Sequence, residues 1–239
     1  MFRAILFVSL LSFSLPVFAQ RSSSSSWDDM ARTDQALLPK YGNKPRNAEQ
    51  KQKDDEFVAT TLKRLEYEGN RQDASADWIK AGFNALGKKD PKSAMYEFNK
   101  AWLLDSTNND VYWGFGAVYM SIGNYEKARE QYLYGLKKNP KHAAMLADYS
   151  SYFMAQFYGL QSMDPQGALS NLDSALRYLN TSYQLNPKEA TTCFKLSAAY
   201  MLKNKCGDAW RYFKECEALG GAGITEDFRA ELEGRCPQK

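Results

Sequence analysis

The sequence predicts an all-α protein: antiparallel helical hairpins stacked side by side and closed by a C-terminal helix. Small residues recur at one spacing, with Gly82 and Gly116, Ala94 and Ala128, and Ala175 and Ala209 each 34 positions apart, and a fixed period of that length marks an array of stacked units. Helix stops and starts recur with them. Asn139-Pro140 and Asn186-Pro187 end helices, because proline cannot continue one and restricts the residue before it. Asp90-Pro91 and Asp164-Pro165 begin them, with aspartate as cap and proline at the first helical position. A content of 44% apolar and 14% aromatic residues is ample for a core.

The chain opens with Met1-Phe2-Arg3 and an uncharged apolar run from Ala4 to Ala19, ending Val17-Phe18-Ala19. Residues 1–19 read as a cleaved secretory signal; the alternative, an uncleaved anchor, needs a longer run and one without Pro16. Loss of Arg3 with the signal leaves 30 basic against 28 acidic side chains. Such a balance advertises neither a nucleic-acid nor a membrane-surface partner, and no integral span is expected after cleavage. Residues 20–54 are polar, with serine unbroken from Ser22 to Ser26, and are expected to be a flexible tether. Residues 55–74 hold a leading helix, from about 55 to 68, and its connection: Phe57, Thr61 and Leu65 follow an acidic start at Asp54-Asp55-Glu56.

Beyond Ser75 the repeats begin. The first unit reads Trp78-x2-Ala81-Gly82-x2-Ala85, then Ala94-x3-Phe98. The second reads Tyr112-x2-Phe115-Gly116-x2-Tyr119, then Ala128-x3-Tyr132 and Pro140. The last reads Cys193-x2-Leu196-Ser197-x2-Tyr200, then Ala209-x3-Phe213. These patterns resemble the tetratricopeptide repeat (TPR) family over residues 75–239, in units of about 75–108, 109–142, 143–189 and 190–223, with a capping helix over 224–236. The resemblance implies a right-handed superhelix whose concave groove, lined by the first helix of each unit, binds peptides or partner proteins. Gly116 and Ala128 are expected to be small because two helices cross there, with Tyr112, Tyr119 and Tyr132 filling the space between hairpins. The third unit carries extra residues, six before Ala168 and seven after it, so both arms of its hairpin are expected to project about 10 Å past their neighbours.

No constellation of nucleophile, base and orienting group is visible, so no enzyme, cofactor or metal is expected. His142 is the single histidine and reads as a solvent-exposed loop residue. Gly114-Phe115-Gly116 lacks the third glycine and the strand of a dinucleotide fingerprint. All four cysteines follow residue 190, and beyond a signal peptide an even count favours disulfides. Cys193 and Cys216 lie nearly level about the turn at Asn204-Lys205, and Cys206 and Cys236 about Gly220 to Gly223, so the pairs Cys193–Cys216 and Cys206–Cys236 are expected. Pairing Cys193 with Cys206 fails, since they sit about 19 Å apart along one helix. Four reduced core cysteines are the alternative.

Helical period places three rows on the groove side: Ile79, Trp113 and Phe194; Phe83, Ala117 and Ala198; Leu86, Met120 and Met201. The partner-binding groove is therefore assigned to Ile79, Phe83, Trp113, Met120, Phe194 and Met201, an apolar, methionine-bearing stripe. These residues serve equally well as core between repeats, and the two readings differ in what alanine does to stability. The expected function is a non-catalytic scaffold outside the cytoplasm, secreted or periplasmic, holding a protein or peptide partner; the alternative is a glycan-binding protein that uses the groove's rings as sugar platforms.

Overall fold

The computed structural model describes residues 18–64 and 66–238, with side chains from residue 26 onward. The greater part of the expected leader, residues 1–17, and Leu65 lie outside the described residues. Among the described residues are eleven α-helices and two short 3-10 turns, with no strand. No helix among them is long and apolar enough to cross a membrane.

Four hairpins form the body: α3 (Arg71–Gly87) with α4 (Pro91–Leu104), α5 (Asp110–Ser121) with α6 (Tyr125–Lys138), α7 (Ala143–Leu160) with α8 (Pro165–Leu185), and α9 (Ala190–Leu202) with α10 (Cys206–Ala218). The first helices touch in series, α3 to α5 to α7 to α9, and each second helix packs on the first helix of the next hairpin. The result is a superhelical stack of two helix layers. The small residues do what the period implies. A Cβ on Gly82 or Gly114 would overlap the ring of Phe98, and one on Gly116 the ring of Tyr132, while Ala94, Ala128, Ala168, Ala175 and Ala209 are fully buried. Asp90, Asn124 and Asp164 cap α4, α6 and α8 by accepting from Ser93, Lys127 and Gly167 N–H.

The third hairpin is longer, as the insertion requires: α7 and α8 have 18 and 21 residues where α5 and α6 have 12 and 14. Its tip is exposed, with Tyr158 57% and Met163 78% accessible. Replacing residues 159–162 by a short turn is expected to leave the stack cooperatively folded, because only Leu160 there packs on buried side chains; circular dichroism melts check this, and loss of the cooperative transition contradicts it.

The flexible tether expected over residues 20–54 is corrected by the structure. Residues 18–62 form α1 (Phe18–Thr33), 3-10 turns at Gln35–Leu37 and Pro39–Asn43, and α2 (Ala48–Leu62). Helix α2 starts well before residue 55 because Asn47 and Gln50 close a reciprocal capping box, and it ends at Leu62, short of 68. Average polarity concealed three anchors, Trp27, Leu37 and Tyr41, all buried. The segment lies along the second-helix layer as a strap. Asn99 of α4, fully buried, donates through Nδ2 to Ala36 O (2.8 Å) and Leu38 O (3.0 Å) and accepts from Lys40 N–H (2.7 Å). Tyr96 donates to Asp34 at 2.5 Å, and Lys127 pairs with Asp28 at 2.7 Å. The Tyr96 hydroxyl is pushed up to about 12, first by that hydrogen bond and then by burial. Lys40, Tyr41 and Asn43 adopt left-handed φ of 52°, 55° and 55°, at roughly 1–2 kcal/mol per residue. Burial of Tyr41 beneath the Arg46 guanidinium, itself fixed to Asp54 by two 2.8 Å hydrogen bonds, offsets that cost. Asn99→Ala strips three strap groups of their partner and is expected to cost roughly 1–3 kcal/mol. Hydrogen exchange is expected to quicken over residues 34–43 while the hairpins keep their protection.

At the other end, α11 (Glu226–Arg235) covers the last hairpin. Cys206 and Cys236 are bonded, with Cα atoms 5.2 Å apart. Cys193 and Cys216 are not: both are free thiols in one buried cluster, because Cys216 turns its thiol toward Ala222 O at 3.5 Å. Burial first, then Glu215, pushes the Cys193 thiol up to about 11, so at neutral pH it stays protonated and unreactive.

Candidate functional site: the first-helix face

The strap runs along the second-helix layer of the first two hairpins, with α2 also packed on α3 through Phe57 and Trp78, which leaves α5, α7, α9 and the rest of α3 to present the open face. Of the six residues assigned to it, Phe83 and Trp113 come together. Both are half-buried, their ring centroids 4.1 Å apart, and both line a pocket of about 290 Å³ with Ala144, Ala147, Asp148, Glu189, Thr191 and Thr192. The other four go elsewhere. Ile79 is buried in the core of the first two hairpins. Met201 is buried with Phe213 and Leu232 beneath α11. Phe194 meets Phe228 of α11 edge-on at 4.9 Å and lies against Gly223, so the closing helix covers it. Met120 is half-buried and faces a separate hollow of about 650 Å³ beside the projecting hairpin, with Tyr125, Met154 and Tyr158.

Trp113 is held from three sides. Its Nε1 donates to Asp148 Oδ2 at 2.6 Å, while Asp148 Oδ1 takes Lys195 Nζ at 2.6 Å, and Lys195 also donates to Ala147 O at 3.1 Å. The chain α5–α7–α9 thus locks the indole across three hairpins. His142 sits 5.4 Å from the indole, centroid to centroid. It is not the solvent-exposed loop residue expected from the sequence: its side chain is 12% exposed, Nδ1 accepts from Met145 N–H as the cap of α7, and Nε2 reaches Asp110 Oδ1 at 2.8 Å. Because a backbone N–H can only donate, Nδ1 is the acceptor and the ring proton sits on Nε2. Both nitrogens are committed to structure.

Sequence reading missed Asp148, Lys195 and Glu189. One signal was present: Asn139-Pro140-Lys141-His142 and Asn186-Pro187-Lys188-Glu189 are the same turn at successive units, so His142 and Glu189 both stand at the cap of a first helix. They differ in use. Glu189 is the N-cap of α9 yet makes no side-chain cap bond.

No family model matches the chain, and no curated protein matches it in sequence. Among solved structures it is similar to TTC0263, a thermophilic TPR protein of Thermus thermophilus, with 17% identity, a TM-score of 0.56, and coverage of 67% of this chain and 80% of that one. It also aligns with MamA at 16% identity, a TM-score of 0.44, and coverage of 79% and 99%. For pilF of Pseudomonas aeruginosa the identity is 17%, the TM-score 0.38, and the coverage 69% and 85%. The fold is that of the tetratricopeptide repeat proteins.

Proposed function

We propose that the protein is a non-catalytic interaction scaffold that works outside the cytoplasm and holds a protein or peptide partner on its first-helix face. The observation that carries this is the Phe83–Trp113 pair, two half-exposed rings at an open pocket, with the indole held by Asp148 and, through it, Lys195. Half-buried aromatic rings in fixed positions are what interfaces use as anchors. The chain's own strap covers part of the opposite face, along α4 and α6. A non-catalytic reading is supported by His142, whose ring nitrogens are both engaged, and by buried thiols whose protonation burial favours. The location is supported by the apolar run before Gln20 and by the Cys206–Cys236 bond, since disulfides persist in oxidising compartments. The test sets a pull-down from envelope extracts against a glycan array. Copurification of one specific protein with no glycan signal is expected; array binding with no protein retained overturns the reading in favour of sugar recognition.

A further inference from the structure

We infer that the Phe83–Trp113 pocket receives the side chain of an arginine from an extended peptide, with Glu189 as its counter-ion. This rests on the reading of the first-helix face as the binding face. At about 290 Å³ the pocket is at the low end for ligand sites, which run from roughly 300 to 1,000 Å³. It takes one side chain, not a whole small molecule. Its walls are rings and methyl-sized residues, Phe83, Trp113, Ala144 and Ala147, and its charged members are Asp148 and Glu189. The two carboxylates differ in kind. Asp148 is already neutralised by Lys195 and bonded to the indole. Glu189 makes no cap bond, and no ion pair or side-chain hydrogen bond engages its carboxylate among the described residues. At the equivalent turn one unit earlier, His142 spends both nitrogens on the cap and on Asp110. The pocket therefore carries one carboxylate with no side-chain partner among the described residues, beside an aromatic surface.

A flat cation fits that combination best. Guanidinium stacks on an indole face and forks two N–H donors onto a carboxylate, whereas an ammonium is a compact, strongly hydrated point charge. Lysine should bind more weakly, and an acidic side chain should be repelled. Glu189 is then a specificity-determining residue, and Trp113 the general anchor.

The test uses full-length chain and pools of short N-acetylated, C-amidated peptides, degenerate except for one central residue fixed as Arg, Lys, Leu or Glu. The expected result is at least tenfold tighter binding of the Arg pool than of the Leu pool, with the Lys pool between them. Glu189→Gln is expected to bring the Arg pool down to the Leu level with only a small shift of the thermal melt, because the side chain makes no internal hydrogen bond and the carboxylate's gain at the N-terminus of α9 is modest. Glu189→Lys is expected to favour the Glu pool. If the Leu pool binds as well as the Arg pool and is indifferent to Glu189→Gln, yet Trp113→Ala abolishes it, the arginine assignment is wrong and the binding face stands. If no pool binds, both are wrong.

Discussion

Replacing Phe98 by alanine is expected to cost about 3–5 kcal/mol, the usual cost of emptying a buried aromatic site. The upper part of that range applies, because the site has little with which to refill itself. The ring is fully buried on α4, with Gly82 of α3 and Gly114 of α5 against it, and neither glycine has a side chain to move into the space. Phe83 meets it edge-on at 5.2 Å and Phe115 at 6.4 Å, so the same ring joins the first hairpin to the second. Chemical denaturation should show the midpoint falling in the transition of these hairpins. A double-mutant cycle sharpens the test. Gly82→Ala should destabilise the wild type by collision with the ring, and should be neutral or stabilising beside Phe98→Ala, where the new methyl enters the cavity and alanine favours helix. Additive effects contradict the packing described.

Cys236→Ala is expected to cost about 3–4 kcal/mol, from the closure entropy of a loop with a sequence separation of 30. Helix α11 has 10 residues, too few to persist unsupported in water. Its other ties are the packing of Phe228 and Leu232 on Phe194, Met201 and Phe213, the Trp210 Nε1 hydrogen bond to Cys236 O at 2.7 Å and the Arg229–Glu217 pair at 2.6 Å. Detachment exposes Phe194, Met201, Phe213 and Phe228 together, so the variant should also aggregate on heating. A reducing agent should lower the melting temperature of the wild type and leave Cys236→Ala unmoved, since Cys193 and Cys216 are already free thiols. Equal melts with and without reductant contradict the role assigned to the bond.

The hairpin stack was legible because its determinants are local or periodic. Gly82 and Gly116 mark helix crossings, the Asp-Pro pairs mark starts, and the six- and seven-residue insertions around Ala168 lengthen helices without breaking their buried face. The strap was illegible for the opposite reason. Its order comes from a few anchors in a polar segment and from Asn99, some sixty residues away in sequence. Buried asparagine in an amphipathic helix was the available signal: one period on, the same position is Leu133, 39% exposed. Of the groove rows, Phe83 and Trp113 come from neighbouring units and meet at one pocket. Ile79 and Met201 do not, since a first helix in a stack buries a wide arc. Phe194 has the right register, but α11 covers it. The ionic residues around Trp113 depend on side-chain pairing across three hairpins, which no period encodes.

Partners are expected to bind the first-helix face and not the strap face. This is tested most directly by the affinity of a captured partner for wild type, Trp113→Ala and Tyr134→Ala, the last removing a half-exposed ring beside the strap on α6. Loss of an aromatic anchor should weaken binding by more than about 1 kcal/mol, some fivefold, for Trp113→Ala, with Tyr134→Ala within twofold of wild type. A partner that ignores Trp113→Ala and is lost with Tyr134→Ala contradicts the account.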